Sequence, residues 1–471
     1  MRAGWGTWGR QWVIVSAAMG IALAILLQAQ LRDPYGVPDY GDPLFSMWRL
    51  GWVVHQLGTD PAHLFDANIF YPNQLALTYS DPLILPAVMQ APLTMVGVHP
   101  VIAYDILFFL GFWMSGMATY FLVDRLTGSA PAAFVAGLTF ACCGYRLDHY
   151  AHFELQLTQW MPIGLLALHE LVTTGRRWWG RHWWALALAL AGVAELYSSM
   201  YYGAFFLVYA LVVGIGLLIV HRPSMRPLIV PMIAAGLLAA LLTVPLARAF
   251  AAAAPVKGER PVSEITYYSA HLSDYLRPSK WSATWGGRLL PPLPERALFP
   301  GVVPVALAVA ALVPPLNGMT VVYGAALVVS VDLSLGMNGL TYPWVRRLLP
   351  PFRELRAPAR FGVLVSMTLS ILAGFGVARL LRIVTLPARQ WSAIGLLTVL
   401  VMVDAWPALA LVPAWKEPPL IYRSLVGRSD VVLAELPTLE NEALNIPYMY
   451  FSLWHWNPML NGYSGYIPKS Y

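Results

Sequence analysis

Apolar residues run in long stretches along most of this chain, and the stretches recur at lengths that suit a bilayer. A hydrocarbon core of about 30 Å takes roughly 20 helical residues. Segments near that length predict about eleven transmembrane helices: Trp12 to Gln28, Val101 to Leu122, Pro131 to Gly144, Leu155 to Val172, Trp184 to Ser198, Tyr202 to Val220, Leu228 to Phe250, Phe299 to Val313, Thr320 to Leu335, Phe361 to Leu381, and Ser392 to Val412. Beyond Pro413 the pattern turns polar and alternating. There DVVLAELPT, Asp430 to Thr438, predicts a strand that opens a small outer α/β segment, either incomplete or completed by a partner.

The polar positions between spans give a sidedness. Arg2 and Arg10, Arg125, Arg176, Arg177 and Arg181, Arg222 and Arg226, and Arg379, Arg382 and Arg389 all fall on one side of an alternating count. Short loops rich in Lys and Arg face the cytoplasm, so that side is predicted to be inside. The long segments, residues 30–100, 145–154, 251–298, 336–360 and everything after Pro413, fall outside. The chain therefore divides into a membrane domain, 1–413, and an extracytoplasmic segment, 414–471. The first span, with its basic start and small residues near Ala29, also fits a cleaved signal peptide. An uncleaved anchor is the preferred reading, because cleavage would remove the helix that positions the first outer loop.

Composition agrees with this class. With 58% hydrophobic residues, 11% charged residues and a mean hydropathy of +0.59, the chain lacks the polar surface to cover a water-soluble globule. Its net charge of +6 reflects membrane topology and not a nucleic-acid footprint. Cys142 and Cys143, adjacent inside a predicted span, imply neither a disulfide framework nor a metal site. No GxxxxGK[ST] or GxGxxG motif is present, and the cytoplasmic loops are short, so chemistry belongs to the outer face.

The first outer loop holds the candidate chemistry. In GDPLFSMWRLGWVVHQLGTDPAHLFDANIFYPNQLALTYSD, Gly41 to Asp81, carboxylates sit among aromatic residues just outside a predicted membrane helix. Asp42, between Gly41 and Pro43, reads equally as the N-terminal cap of a helix and as a catalytic base; Asp39 is the alternative base. Asp81 shares the Asp-Pro context and reads as the cap of a second interfacial helix in this loop. His55, Asn68 and Tyr71 read as packing and hydrogen-bonding groups of the loop.

A second cluster, Arg146, Asp148, His149, His152 and Glu154, lies at the outer junction of the third and fourth spans. His149 and His152 have a helical metal-ligand spacing that is as compatible with a structural pair. Glu195, expensive in lipid, should face the protein interior. Arg353, Arg356 and Arg360 would share a face if their segment were helical, although Pro358 interrupts it. They suit a phosphate or lipid headgroups.

GDPLFSMWRLGWVVHQL, LFDANIFYP, YSDPLI, HYAHFELQLTQWMPI, SSMYYG, YYSAHLSDYLRPS and RELRAPARFG resemble stretches of a group of bacterial polytopic proteins in the GT-C glycosyltransferase superfamily. The resemblance spans nearly the whole membrane region. It implies an all-α polytopic fold and an enzyme of the bacterial cytoplasmic membrane that transfers a sugar, with inversion, from a polyprenyl-phosphate carrier to a glycan, lipid or protein acceptor on the outer face. Asp42 stands where GT-C proteins carry their acidic residue. Arg353, Arg356 and Arg360 would hold the carrier phosphate. His55, His149, His152, Glu154, Glu264 and Tyr268 would contact acceptor or carrier, Glu264 by analogy with the flexible outer loop of oligosaccharyltransferase-type members. Some members hold a divalent metal, and the resemblance then implies Mg²⁺ or Mn²⁺ between Asp42 and Asp81; no cofactor is fixed by it. A lipid or glycan flippase and a non-catalytic assembly protein of the same fold are the alternatives.

Overall fold

The computed structural model describes residues 5–173, 178–384, 386–428, 430–437 and 442–469. Arg2, Arg176, Arg177 and Thr438 lie outside these. The longer helices are α1 (Trp5–Leu26), α2 (Asp42–Thr59), α3 (Ile84–Met95), α4 (Pro100–Thr127), α5 (Ala130–Ala141), α6 (Trp160–Thr173), α7 (Trp178–Ser198), α8 (Met200–His221), α9 (Arg226–Lys257), α10 (Val302–Leu312), α11 (Gly318–Ser334), α12 (Gly362–Ile383) and α13 (Pro387–Asp404). All but α2 and α3 overlap a predicted span, and α2 and α3 are the two helices expected within the first outer loop. Five stretches, Pro100–Thr127, Ala130–Asp148, Met200–His221, Arg226–Lys257 and Pro358–Ile383, are long and apolar enough to cross a membrane by length and composition. The protein is a multi-pass, mainly helical membrane protein.

α12 is the axis of the bundle. Every residue from Gly362 to Ala378 is buried, and the helix packs against α4, α5, α10 and α11. A helix that is apolar all round and buried belongs to a core. Gly376 permits its closest approach: a Cβ there would stand 2.0 Å from the Leu307 carbonyl oxygen of α10, the kind of contact small residues give to membrane helices. Thr368 on this helix answers Tyr209 of α8 with a 2.7 Å hydrogen bond. α9 is the opposite case, with most of its surface exposed, as a lipid-facing helix requires.

The segments predicted to lie outside gather at one end of the bundle. There β1 (Gly36–Val37) pairs antiparallel with β2 (Val412–Pro413), Gly36 opposite Pro413. Asp404, at the end of α13, accepts from the amides of Val302 and Val303 and from Trp285 Nε1, which satisfies free N–H groups at the start of α10. At the other end Arg125 pairs with Glu170, and Arg379 donates to the carbonyls of Val313 and Pro314.

The C-terminal segment departs from expectation. Between Asp430 and Pro437 no strand forms; Leu433 makes only an isolated bridge to Met459. Leu433 lies against the tail, exchanging backbone hydrogen bonds with Pro458 and Leu460, while Val432 and Leu436 stay exposed. Met459 and Asn461 exchange backbone hydrogen bonds with Asn68, Phe70 and Tyr71, while Asn68 also donates to Ser452 Oγ and the Asn457 carbonyl. The chain after Asn457 is thus laid along residues 68–71 as a strap.

Candidate functional site

Residues 41–43 start α2 in a specific way. Gly41 is the N-cap, Asp42 and Pro43 follow inside the helix, and no side chain caps it. The cap-only reading of Asp42 is therefore not what the structure has. Its carboxylate instead meets His152 Nε2 at 3.1 Å, with 31% of the Asp42 side chain exposed. Asp39 accepts from the Gly41 amide at 2.9 Å, so it shapes the turn that presents Asp42.

Seven residues on, hence two turns along the same face, Arg49 reaches the same loop. Its guanidinium bonds Glu154 Oε2 at 3.0 Å, Ser46 Oγ at 2.9 Å and the Asp81 carbonyl at 2.9 Å. Burial would raise the Glu154 carboxyl, but Arg49 foremost, with His152, draws it down to about 2. Two residues of α2 thus engage two of the His152–Glu154 loop, fixing Asp42 in place. Asp81 does not cap α3. Its oxygens accept from Ser199 Oγ and the Met200 amide, both at 3.2 Å, at the start of α8. Burial, and then the charge of Glu154, raise its carboxyl to about 6.

Facing α2 across a cleft is a wall of cations. Lys257, at the end of α9, pairs with Glu354 at 3.1 Å; Arg260 pairs with Glu264 at 3.3 Å. Arg353, Arg356 and Arg360 do not share a helical face, because their segment consists of two short 3₁₀ turns, Pro350–Arg353 and Pro358–Phe361. Arg353 turns to Glu259 at the surface. Arg360 is buried and grips Glu295 through two hydrogen bonds, 2.8 and 2.6 Å, while Glu295 also takes His149 Nε2 at 3.1 Å. Burial would raise the Glu295 carboxyl, but Arg360 and His149 hold it well below the usual carboxylate range. Arg356 is different. Its backbone amide donates to Tyr201 Oη at 2.9 Å, its guanidinium lies 5.4 Å from the centre of the Tyr268 ring, and among the described residues no carboxylate pairs with it.

The cleft so formed holds about 780 Å³ of space open to solvent. Asp42, Asp81, His152 and Glu154 line one side, and Lys257, Arg260, Arg356 and Arg360 the other, with Tyr463 and Tyr466 of the strap between them. Of the four cations only Arg356 faces it unneutralised. The remaining expected residues lie elsewhere: His55 stacks on Trp456 at 4.1 Å, and His149, Glu264 and Tyr268 support the walls from behind. Arg49, Lys257, Arg260, Tyr201, Glu295 and Tyr463 were not singled out from the sequence. Only Arg49 carries a local signal, its spacing from Asp42.

The donors around Asp42 and Asp81 fall short of a metal cage. Among the described residues no three His, Cys, Asp or Glu side chains converge to hold an ion, and both Asp81 oxygens already serve Ser199 and Met200. What the arrangement can do without an ion is take a proton at Asp42 and hold an anion at Arg356.

A family model described as "Domain of unknown function (DUF6311)" matches residues 48–302, more than half of the chain. A sequence comparison with curated proteins gives no match. The fold is similar to the cryo-EM structure of the arabinofuranosyltransferase AftD from mycobacteria, at 14% identity and a TM-score of 0.60, over 88% of this chain and 28% of that one. It is also similar to the crystal structure of ArnT from Cupriavidus metallidurans bound to undecaprenyl phosphate, at 14% identity and a TM-score of 0.44, over 81% and 62%. This chain spans little more than a quarter of the length of AftD. The likeness to AftD is one of fold.

Proposed function

We propose that this chain, which belongs to the DUF6311 family and resembles the GT-C glycosyltransferases, transfers a sugar from a polyprenyl-phosphate carrier to an acceptor hydroxyl at the outer membrane-water interface of the cytoplasmic membrane. The observation that carries this reading is the cleft with a half-exposed carboxylate, Asp42, on one wall and an unneutralised guanidinium, Arg356, on the other. The acceptor oxygen attacks the anomeric carbon while its proton passes to Asp42. The bond from that carbon to the phosphate oxygen breaks, and its electron pair leaves with the phosphate. The leaving group thereby passes from one negative charge towards two, and Arg356 is placed to balance the added charge. Attack opposite the leaving group inverts the anomeric configuration. A phosphate departs without a general acid, so the second carboxylate of a glycoside hydrolase is not needed.

Farnesyl phosphate is a tractable probe of the carrier headgroup. Arg356→Gln is expected to weaken its binding roughly ten- to a hundredfold, the loss of about 1.5–3 kcal/mol for a charge-assisted contact, with thermal stability unchanged. Unchanged affinity would take Arg356 out of the site. Arg353→Gln serves as the control, since that side chain points away and its loss should leave binding intact.

The reading also needs the cleft on the outer side. In intact cells a membrane-impermeant thiol reagent should label Ser424→Cys, exposed in the C-terminal segment, and leave Ser224→Cys, exposed between α8 and α9, unlabelled until the membrane is permeabilised. The reverse pattern would place the cleft in the cytoplasm and defeat the proposal.

A further inference from the structure

The strap does more than cover the first outer loop. Gly462 lies flat on Phe70, where a Cβ would come within 2.7 Å of the ring, and this close seating delivers the next residue, Tyr463, into the cleft. The Tyr463 ring meets Phe45 of α2 edge-on at 5.3 Å. Three residues later the strap reaches the opposite wall: the Gly465 carbonyl accepts from Arg260, the Arg260 guanidinium lies 3.6 Å above the Tyr466 ring, and Tyr466 Oη donates to the Glu354 carbonyl at 3.3 Å. The segment is therefore anchored on both banks and spans the cleft between them.

Within this span the two tyrosines are not equivalent. The Tyr466 hydroxyl is tied to Glu354. The Tyr463 hydroxyl has no hydrogen-bond partner among the described residues, although the side chain is largely buried and lines the cleft. Burial and the Asp42 carboxylate push its phenol up, with Arg356 pulling the other way, so it is a neutral donor near neutral pH and stands within the fields of both groups. The hydroxyl faces the open cleft, where a ligand oxygen can accept its hydrogen bond.

We propose that Tyr463 is a substrate-binding residue whose hydroxyl donates a hydrogen bond to the phosphate of the lipid-linked donor, alongside Arg356, so that the strap completes the phosphate site. This rests on the reading of the cleft as a lipid-phosphate site. It adds a contact, through Tyr463 alone, from a segment more than a hundred residues beyond Arg356; Tyr466, tied to Glu354 and Arg260, anchors the strap and makes no contact with the ligand.

Tyr463→Phe removes the hydroxyl and keeps the ring on Phe45. Purified protein in detergent is titrated with farnesyl phosphate, with farnesol as the uncharged comparison and inorganic phosphate as the lipid-free one. Tyr463→Phe should bind farnesyl phosphate roughly five- to twentyfold more weakly, with farnesol binding and melting temperature unchanged, while Tyr466→Phe binds like wild type. Wild-type affinity in Tyr463→Phe together with weakened binding in Arg356→Gln overturns the role of Tyr463 and leaves the phosphate site standing. Equal losses in Tyr463→Phe and Tyr466→Phe overturn it as well, since they would mark a purely structural strap. Wild-type affinity in Tyr463→Phe and Arg356→Gln alike overturns both this proposal and the function it rests on. If inorganic phosphate displaces farnesyl phosphate at matched concentration, the lipid-linked ligand is ruled out in favour of free phosphate.

Discussion

Asp42→Asn should bind farnesyl phosphate as wild type does and transfer sugar roughly two to four orders of magnitude more slowly, the range that general-base catalysis contributes. The structure makes this substitution cleaner than the sequence alone would. Gly41, not Asp42, is the N-cap of α2, so no capping bond is lost, and Asn keeps the volume beside Pro43. The variant does alter the contact with His152, and His152→Gln, which retains Asp42, controls for that change. The assay is the release of farnesyl phosphate from a panel of farnesyl-phosphate-linked pentoses and hexoses, with a membrane extract supplying acceptors. Wild-type turnover in Asp42→Asn with loss of turnover in Asp39→Asn or Asp81→Asn would mean that the base is another carboxylate. Full activity in all three would end the mechanism.

The largest effect on stability is expected at Glu295. It is the common partner of Arg360 and His149, and both oxygens are engaged where almost no solvent reaches. Glu295→Gln leaves the Arg360 guanidinium buried without its counter-charge, which costs about 3–5 kcal/mol when a buried ion pair is broken from one side. Thermal unfolding in detergent should show a lowered melting temperature. The double variant Glu295→Gln with Arg360→Met should recover part of the loss, because the stranded charge is then gone. An unchanged melting temperature in the single variant would show that the pair contributes nothing to the fold.

These two residues also mark what a sequence places and what it leaves hidden. The position of Asp42 at a helix start was legible because its signals are local: a glycine, a carboxylate and a proline next to an apolar span. The helices were legible for the same reason, since a bilayer imposes length and apolarity on each segment separately. Glu295 was not legible, because its partners lie 65 and 146 residues away and no spacing rule links them. The same blindness made the three arginines of RELRAPARFG look alike. Only tertiary structure reveals that Glu259 and Glu295 neutralise two of them and leave Arg356 open. The strand expected at 430–438 failed differently. Alternating apolar residues require a burial surface, and here Leu433 finds one against the folded-back tail while Val432 and Leu436 stay exposed.

Helix α9 carries one more consequence. At about 1.5 Å of rise per residue its 32 residues extend ~48 Å, although Pro231, Pro245 and Pro255 inside it bend the path. A hydrocarbon layer of roughly 30 Å leaves several turns standing clear of the oily interior. Lys257 terminates that surplus, so the height of the cationic wall above the lipid tails is set by how deeply one long, exposed helix sits. Bilayer thickness then becomes a variable of the site: in a thicker membrane α9 sinks relative to the headgroups, and the cleft descends with it.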